Sequence, residues 1–285
     1  MPEENPISFE CQGDTLHGII HSAASTQRRG ILIVVGGPQT RVGSHRQFVL
    51  LARLLTENGF TVMRFDYRGM GDSSGEQRSF QNIDSDIRCA LDSFLNAHTE
   101  LSEIVIWGLC DAASAAMFYG YTDERVKGLV LLNPDTLTVT STAKTILKHY
   151  YLQRIFDREL WQKIFDGSFN YQQSFKSLLG MLRKIFFPSD GDNDTNNKEV
   201  QIPFPQRMLD CLEKFRFPIL FILSGNDLTA DAFKDQIKQS SRWENIVNRD
   251  HVTRYDLVES DHTFSSQQWR DQAAQWTLDW VKRLP

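Results

Sequence analysis

The stretch that decides the fold runs from Ile104 to Ser114 and spells IVIWGLCDAAS. An apolar, β-prone run leads into Gly-x-Cys-x-Ala, and the small residues of a packed helix follow. This layout is typical of a nucleophile elbow, a sharp strand-to-helix turn that holds a reactive side chain at its tip. The strained turn leaves room only for tiny residues two positions before and after the nucleophile, where Gly108 and Ala112 stand. The stretch makes Cys110 a candidate nucleophile.

Cys110 also has a structural interpretation, because a free cysteine is more often a buried, inert residue than a nucleophile. The pentapeptide alone leaves the two interpretations evenly balanced. At the start of a helix, N–H groups and a partial positive charge favour a thiolate over a thiol. We therefore expect the turn to favour the thiolate of Cys110. Whether Cys110 is a nucleophile then depends on whether later loops supply a histidine and an acid.

Short apolar runs alternate with longer helix-period stretches, which predicts an α/β fold with a mostly parallel sheet. The first two predicted strands, Ile7–Gln12 and Leu16–Ser22, flank Gly13 and Asp14, a pairing that favours an antiparallel hairpin. Six more have the apolar character of strands covered on both faces: Gly30–Val35, Thr61–Asp66, Glu103–Trp107, Gly128–Leu132, Pro218–Leu223 and Thr253–Val258. Helical periodicity marks Ser44–Asn58, Asn82–His98, Ala112–Tyr121, Ala230–Gln239 and Gln267–Arg283.

Residues 135–215 break this rhythm, since they contain aromatic-rich helical patterns but no convincing strand. We predict a core of residues 1–134 and 216–285, with residues 135–215 as a helical lid insertion and a mobile polar loop near 188–198. The aromatic residues of the insertion favour an acyl chain over a bare sugar as ligand, although core packing explains them equally well. They are Tyr150, Tyr151, Phe156, Trp161, Phe165, Phe169, Phe175, Phe186 and Phe187.

A nucleophile at an elbow needs a histidine base, and the histidine needs an orienting acid. Asp227 follows the seventh predicted strand and His262 follows the eighth, which gives the chain order nucleophile, acid, histidine. Because ligands collect at the carboxyl edge of such sheets, the three loops should converge there. Asp261 is a weaker candidate acid, since it directly precedes the histidine. Taken singly, an aspartate in the place of Asp227 is more often a helix cap, and a histidine in the place of His262 is more often an ordinary loop residue.

Acyl chemistry also needs N–H donors for a developing oxyanion. The backbone N–H of Asp111, directly after the candidate nucleophile, is the first predicted donor. The second should come from the loop Val35–Gln39, where Pro38 has no N–H, so Gly37 is the first choice and Gln39 the second. An ordinary Gly-Pro turn is the alternative interpretation of this loop.

Other kinds of site find little support in the sequence. The segment Phe65–Gly75 is dense in turn formers, and its charges suit inward pairing, so we interpret it as structural. It contains neither glycine pattern of a nucleotide site. The four cysteines lie far apart without a C-x-x-C pair, which argues against zinc and against a disulfide framework. We expect no metal and no cofactor.

The composition indicates an ordinary globular protein: 285 residues, 41% hydrophobic, 24% charged and a net charge of -5. The acidic balance makes nucleic acid and anionic membrane poor partners. The apolar runs are far shorter than the roughly 20 residues of a membrane span. Residues 1–10 lack the pattern of a secretory signal. We therefore expect a cytoplasmic protein that binds a small-molecule acyl ester or thioester, with its oligomeric state left open.

Together, the elbow, Asp227, His262 and the segment Phe65–Ser73 resemble the α/β-hydrolase superfamily over nearly the whole chain. More narrowly, three strings look like the exosortase-A-associated hydrolases of bacteria: Val35–Gln39 with Arg41–Phe48, then Trp107–Ser114, and Lys148–Leu152. This resemblance implies a cytoplasmic bacterial protein linked to exosortase and exopolysaccharide loci, but no substrate. The chain departs from the common superfamily pattern by Cys110 for serine, Ala112 for glycine and Val35 for a frequent histidine.

These observations lead to one main hypothesis and two alternatives. The main one is hydrolysis of an ester or thioester through a Cys-His-Asp triad and a thioacyl-enzyme intermediate. The first alternative is an acyltransferase that uses the same triad. The second is a non-catalytic binding or scaffold protein that kept the fold.

Overall fold

The computed structural model describes residues 3–24, 27–37, 39–136 and 202–285, which contain an eight-stranded sheet in the order β1-β2-β4-β3-β5-β6-β7-β8. The strands are β1 Glu3–Cys11, β2 Asp14–Ser22, β3 Arg29–Val34, β4 Val62–Asp66, β5 Glu103–Leu109, β6 Val126–Leu132, β7 Ile219–Asn226 and β8 Val252–Asp261. The β1/β2 and β2/β4 pairs are antiparallel, and the remaining pairs are parallel. The predicted mostly parallel sheet with an N-terminal hairpin is confirmed.

Helices cover both faces of the sheet. They are α1 Gln47–Glu57, α2 Asp84–Ala97, α3 Asp111–Gly120, α4 Phe204–Lys214, α5 Leu228–Gln239, α6 Ser241–Val247 and α7 Gln267–Arg283, with 3-10 turns at Ser44–Arg46 and Phe80–Asn82. Helices α1 and α7 pack on one face of β3, β5, β6 and β7 in a shared core. On the opposite face, the ring centroid of Phe233 on α5 lies 5.3 Å from that of Phe221 on β7. In the described part of the chain, no helix is long and apolar enough to span a membrane.

The two edge strands differ most from the sequence prediction. Strand β1 begins at Glu3, whereas the predicted strand begins at Ile7. The sequence did not predict this extension, because the first residues of the strand are mostly exposed and show no apolar alternation. Strand β8 was expected to be covered on both faces, and this is wrong: Val258 is 72% exposed, since β8 is the last strand of the sheet and several of its side chains face solvent. Apolar content alone does not distinguish an edge strand from a central one.

The predicted lid at residues 135–215, including its polar loop near 188–198, lies largely outside the described residues. The chain divides into two compact units, Met1–Thr136 with Pro205–Pro285 and Leu137–Phe204. Nearly all of helix α4 belongs to the first unit, where Met208 and Leu212 are fully buried. The sheet unit thus resumes at Pro205, whereas the sequence predicts its return at residue 216, and the lid itself stays a prediction.

Candidate active site

Cys110 sits at the tip of a strained turn between β5 and α3. Its backbone has φ 61° and ψ -126°, a conformation that costs a non-glycine residue free energy and is common at functional sites. The turn is held by the Cys110 N–H, which donates to the Leu132 carbonyl at 2.9 Å. A Cβ on Gly108 would lie 2.6 Å from the backbone of Ala112, so the position before the turn accepts only glycine. This is the geometry that the sequence predicts for a nucleophile elbow.

Asp227 and His262 come together at the carboxyl edge of the sheet, at the ends of β7 and β8. His262 Nδ1 lies 2.9 Å from Asp227 Oδ2. The Asp227 carboxylate also accepts the N–H groups of Thr229 and Ala230, at 3.2 and 3.0 Å, and so caps helix α5. One carboxylate thus caps a helix and contacts the imidazole, and the role of Asp227 as the catalytic acid stays a prediction. Asp261, the weaker candidate acid, instead accepts the Ser265 N–H at 2.9 Å.

A buried polar network holds the backbone beneath His262. Asn133, at the end of β6, is fully buried and has φ 43°. Its Nδ2 donates to Ser224 Oγ at 2.9 Å and to the His262 carbonyl at 3.0 Å, while its Oδ1 accepts the Ser224 N–H at 2.8 Å. Ser224 Oγ donates in turn to the Asp261 carbonyl at 2.8 Å. The network connects the ends of β6 and β7 to the loop that carries His262. It thereby fixes the position of the His262 backbone.

The loop after β3 lies against the elbow. Gly37 has φ 58°, a left-handed conformation that glycine adopts without strain. A Cβ on Gly36 would lie 2.5 Å from both Asp111 Oδ1 and the Leu109 carbonyl, so this loop packs directly on the turn. The Gln39 side chain accepts the Ser44 N–H at 3.2 Å. Pro38 lies outside the described residues, and the oxyanion roles of Gly37, Asp111 and Gln39 stay predictions.

The environment of Cys110 does not favour a thiolate, so that expectation is wrong. Burial raises the pKa of the thiol, and the nearby carboxylates of Asp111, Asp135 and Asp227 raise it further. Only the backbone N–H of Asp111 acts in the opposite direction. Desolvation and like charge outweigh the N-terminus of a short helix. These surroundings favour the neutral thiol of Cys110, so a reaction of its thiolate would need a base to remove the proton.

His262 has the properties of such a base. Its hydrogen bond to Asp227 raises the imidazole pKa above the usual 6.5, burial lowers it, and the charges of Asp227, Asp135 and Asp111 raise it again. The carboxylate stabilises the protonated imidazole, so the pair favours the state formed when His262 accepts a proton. The histidine is thereby suited to remove a proton from a neutral thiol.

Comparison with known proteins identifies the family. The alpha/beta hydrolase fold family matches residues 31–264 of this chain. The chain belongs to that family. The match spans β3 through the histidine loop, so it includes the elbow, Asp227 and His262. Among curated proteins, human Protein ABHD12B is 28% identical over 204 residues, which are 68% of this chain and 49% of that protein. The chain thus spans about half the length of this relative.

Solved structures show the same hydrolase fold at low sequence identity. The esterase Pf2001 of Pyrococcus furiosus is 13% identical, with a TM-score of 0.66 over 99% of this chain and 92% of that chain. The acylaminoacyl peptidase of Pyrococcus horikoshii is 16% identical, with a TM-score of 0.64 over 99% of this chain and 41% of that one. The α/β-hydrolase GrgF of Penicillium sp. sh18 is 19% identical, with a TM-score of 0.62 over 99% of both chains. These likenesses show the fold.

Three features of the site escaped the sequence analysis. Asp135 lies close enough to raise the pKa of both Cys110 and His262. Asn133 supports the histidine loop, and the side chain of Asp111 lies beside the elbow. Their position at the ends of β6 and at the elbow was a usable signal, because that edge of the sheet gathers functional groups. Within the described residues, no cluster of three or more His, Cys, Asp or Glu side chains is suited to a metal ion.

Proposed function

We propose that this chain hydrolyses a carboxylic ester or thioester through a triad of Cys110, His262 and Asp227. The observation that carries the proposal is the 2.9 Å contact between His262 Nδ1 and Asp227 Oδ2, at the sheet edge where the strained elbow presents Cys110. A protein that only binds a partner would need neither this pair nor a strained cysteine. The membership in the alpha/beta hydrolase fold family agrees with a hydrolytic role.

In the proposed reaction, His262 takes the thiol proton as the Cys110 sulfur bonds to the substrate carbonyl carbon, whose oxygen becomes an oxyanion. Asp227 stabilises the imidazolium formed. The tetrahedral intermediate then expels the alcohol or thiol, which receives the proton from His262, and a thioacyl-enzyme remains. Water, deprotonated by His262, attacks this intermediate and releases the carboxylic acid and the free thiol.

The backbone N–H groups of Asp111 and Gly37 are the proposed donors to the oxyanion, with Gln39 as the second choice for the loop. The Asp111 N–H is supported by its place directly after Cys110, at the first residue of helix α3. Gly37 is supported by the close packing of its loop on the elbow.

The proposed cellular context of the reaction rests on the three sequence strings that resemble the exosortase-A-associated hydrolases of bacteria. From it we propose a cytoplasmic bacterial enzyme associated with exosortase and exopolysaccharide loci, which acts on a small-molecule acyl ester or thioester. The four cysteines are free thiols, in agreement with a reducing compartment.

The test uses p-nitrophenyl butyrate as an activated ester, with intact-mass spectrometry and peptide mapping of the full chain. We expect a butyryl adduct on Cys110, release of p-nitrophenolate, and loss of both in Cys110→Ala. His262→Ala should slow acylation at least ~100-fold, as expected for loss of a general base, whereas His251→Ala, remote along β8 from the site, should not.

Two results would change the proposal. Labelling of Cys110 no faster than that of Cys11, Cys89 or Cys211, and unchanged in His262→Ala, would favour the non-catalytic alternative. An adduct that is stable in water but discharged by an added alcohol or amine would favour the acyltransferase.

A further inference from the structure

In the described part of the chain, strand β8 has one unpaired edge. It is the last strand in the sheet order and pairs with β7. The carbonyl of His251, just before β8, accepts the Ile219 N–H of β7 at 3.0 Å. Because the backbone groups of successive residues point to opposite sides of a strand, those of Val252, Arg254 and Asp256 point away from β7. Such an edge is a template for another strand.

The side chains along this edge are self-complementary. Arg254, Asp256 and Val258 share one face of β8 and are exposed, Val258 by 72%. The Arg254 guanidinium donates to the Asp256 carboxylate at 2.9 and 2.8 Å, so the two charges lie side by side. If a second β8 strand pairs antiparallel with its centre on Tyr255, Arg254 lies opposite Asp256 of the second copy. The same register sets Val258 opposite Val252.

The charges select this register over its neighbours. A pairing centred on Arg254 would set two arginines opposite each other, and one centred on Asp256 would set two aspartates opposite each other, which destabilises a sheet. Centres on Thr253 or Leu257 would leave Arg254 opposite an uncharged residue. With the centre on Tyr255, the outward backbone groups of Arg254 and Asp256 can hydrogen-bond across the two copies, and Tyr255 takes a non-hydrogen-bonded position.

The other face of β8 adds aromatic side chains at the same centre. Tyr255 packs toward helix α7, where its ring stacks on Trp276 with the centroids 4.7 Å apart. Both rings are partly exposed. In this register Tyr255 meets Tyr255 of the second copy, so two aromatic stacks come together at the centre. Tyrosine and tryptophan are enriched at protein interfaces, where they contribute much of the binding energy.

We propose that strand β8 pairs antiparallel with β8 of a second copy of this chain, about a two-fold axis at Tyr255, and joins two eight-stranded sheets into one. The same surface serves both copies, as a two-fold dimer requires. The pairing covers the unpaired edge and the exposed Val258. This inference does not depend on the chemistry proposed for Cys110. Because the paired strand is short, we expect a dissociation constant on the order of 10 µM.

Charge reversal tests the pairing and its register by sedimentation equilibrium of the full chain. Arg254→Asp makes the facing positions all negative, and Asp256→Arg makes them all positive. Each variant alone should dissociate at least ~10-fold more readily than wild type, because like charges then face each other. An equimolar mixture sets a negative strand against a positive one and should recover a mixed dimer. Arg28→Asp is the matched control, since it breaks an exposed pair with Glu103 near β3 and β5, far from β8 in the sheet order.

A disulfide at the axis provides a second readout. In an antiparallel pair without hydrogen bonds the Cα atoms lie about 4.5 Å apart, which is within the range of a disulfide. Tyr255→Cys should therefore link two copies under mild oxidation. Thr253→Cys is the matched control, because it lies on the same face but opposite Leu257 of the second copy, and should not form the link. Non-reducing electrophoresis and peptide mapping identify the cysteines that are joined.

A wild type that stays monomeric at ~500 µM would overturn the proposal. A dimer that neither charge reversal weakens would do the same, since it would use another surface. Variants that dissociate but do not recover a dimer on mixing would show damage to the strand and contradict the register. Cross-linking of Thr253→Cys as efficient as that of Tyr255→Cys would also contradict it.

Discussion

Two aspartates of this protein, one fully buried and one half-buried, have opposite surroundings. Asp86 on α2 accepts the backbone N–H of Arg68 at 2.9 Å and its guanidinium at 2.9 and 2.8 Å, and Arg68 also donates to Gln12 at 2.7 Å. Asp111, at the elbow, has a buried oxygen with no partner. Removal of one partner from a paired buried charge costs free energy, and a buried polar atom without a partner carries such a cost already.

The same contrast separates the two loops that the sequence singled out. The segment after β4 has two inward charges, since Arg68 pairs with Asp86 and Asp66 with Arg41, whereas Asp72 is exposed. The loops after β5, β7 and β8 instead collect a strained cysteine, a shared aspartate and a histidine. The carboxylates of the first region pair with arginines, whereas Asp227 pairs with the titratable imidazole of His262.

The largest effect on the chemical side is expected for Asp227→Asn. Asparagine caps helices as well as aspartate does, so stability should change little. Acylation should fall on the order of 10²- to 10⁴-fold, because the imidazolium loses its counter-charge. The rising limb of the pH profile should move to lower pH, since Asp227 raises the pKa of His262 and the reaction needs the neutral imidazole. Stopped-flow acylation across pH, with urea unfolding as control, measures both.

The matching change on the structural side is Arg68→Met. It leaves Asp86 buried without its counter-charge, and we expect a loss of about 3–5 kcal/mol in the free energy of unfolding. Chemical denaturation measures this loss. The double variant Arg68→Met with Asp86→Asn should recover most of it, because the buried charge is gone. An unchanged free energy of unfolding in Arg68→Met would contradict a structural role of the Arg68–Asp86 pair. A shifted pH profile of acylation in this variant would show that the pair also acts on the candidate active site.

The smallest expected effect lies between the two regions, at Asn133. Its network is fully paired, like Asp86, yet it supports the histidine loop. Asn133→Ala should cost about 1–3 kcal/mol of stability, because it leaves buried partners unsatisfied, and should slow acylation several-fold through the displaced imidazole. Asn226→Ala, which breaks an exposed bond to the Glu259 carbonyl, should do neither. A stability loss without any kinetic change would assign Asn133 to structure alone.

Local sequence was sufficient to predict an element of the fold where its residue types favour one backbone geometry. The small residues around Cys110, the glycine of the β1/β2 turn and the apolar central strands each specify their element, so the sheet, the hairpin and the elbow followed from the sequence. The chain order of Asp227 and His262 also followed, because the carboxyl ends of parallel strands meet at one edge.

The electrostatics of the site were decided only by the tertiary structure. The sequence places Cys110 at the start of a helix and so predicts a lowered thiol pKa, but folding buries the sulfur among the carboxyl groups of Asp111, Asp135 and Asp227 and raises it. The sequence also did not predict the exposure of β8, or that one carboxylate of Asp227 contacts both the N-terminus of helix α5 and the imidazole of His262. Burial and the distances between charges depend on residues far apart in the chain, so the sequence predicted which loops share one edge of the sheet, and only the fold decided the direction of each pKa shift.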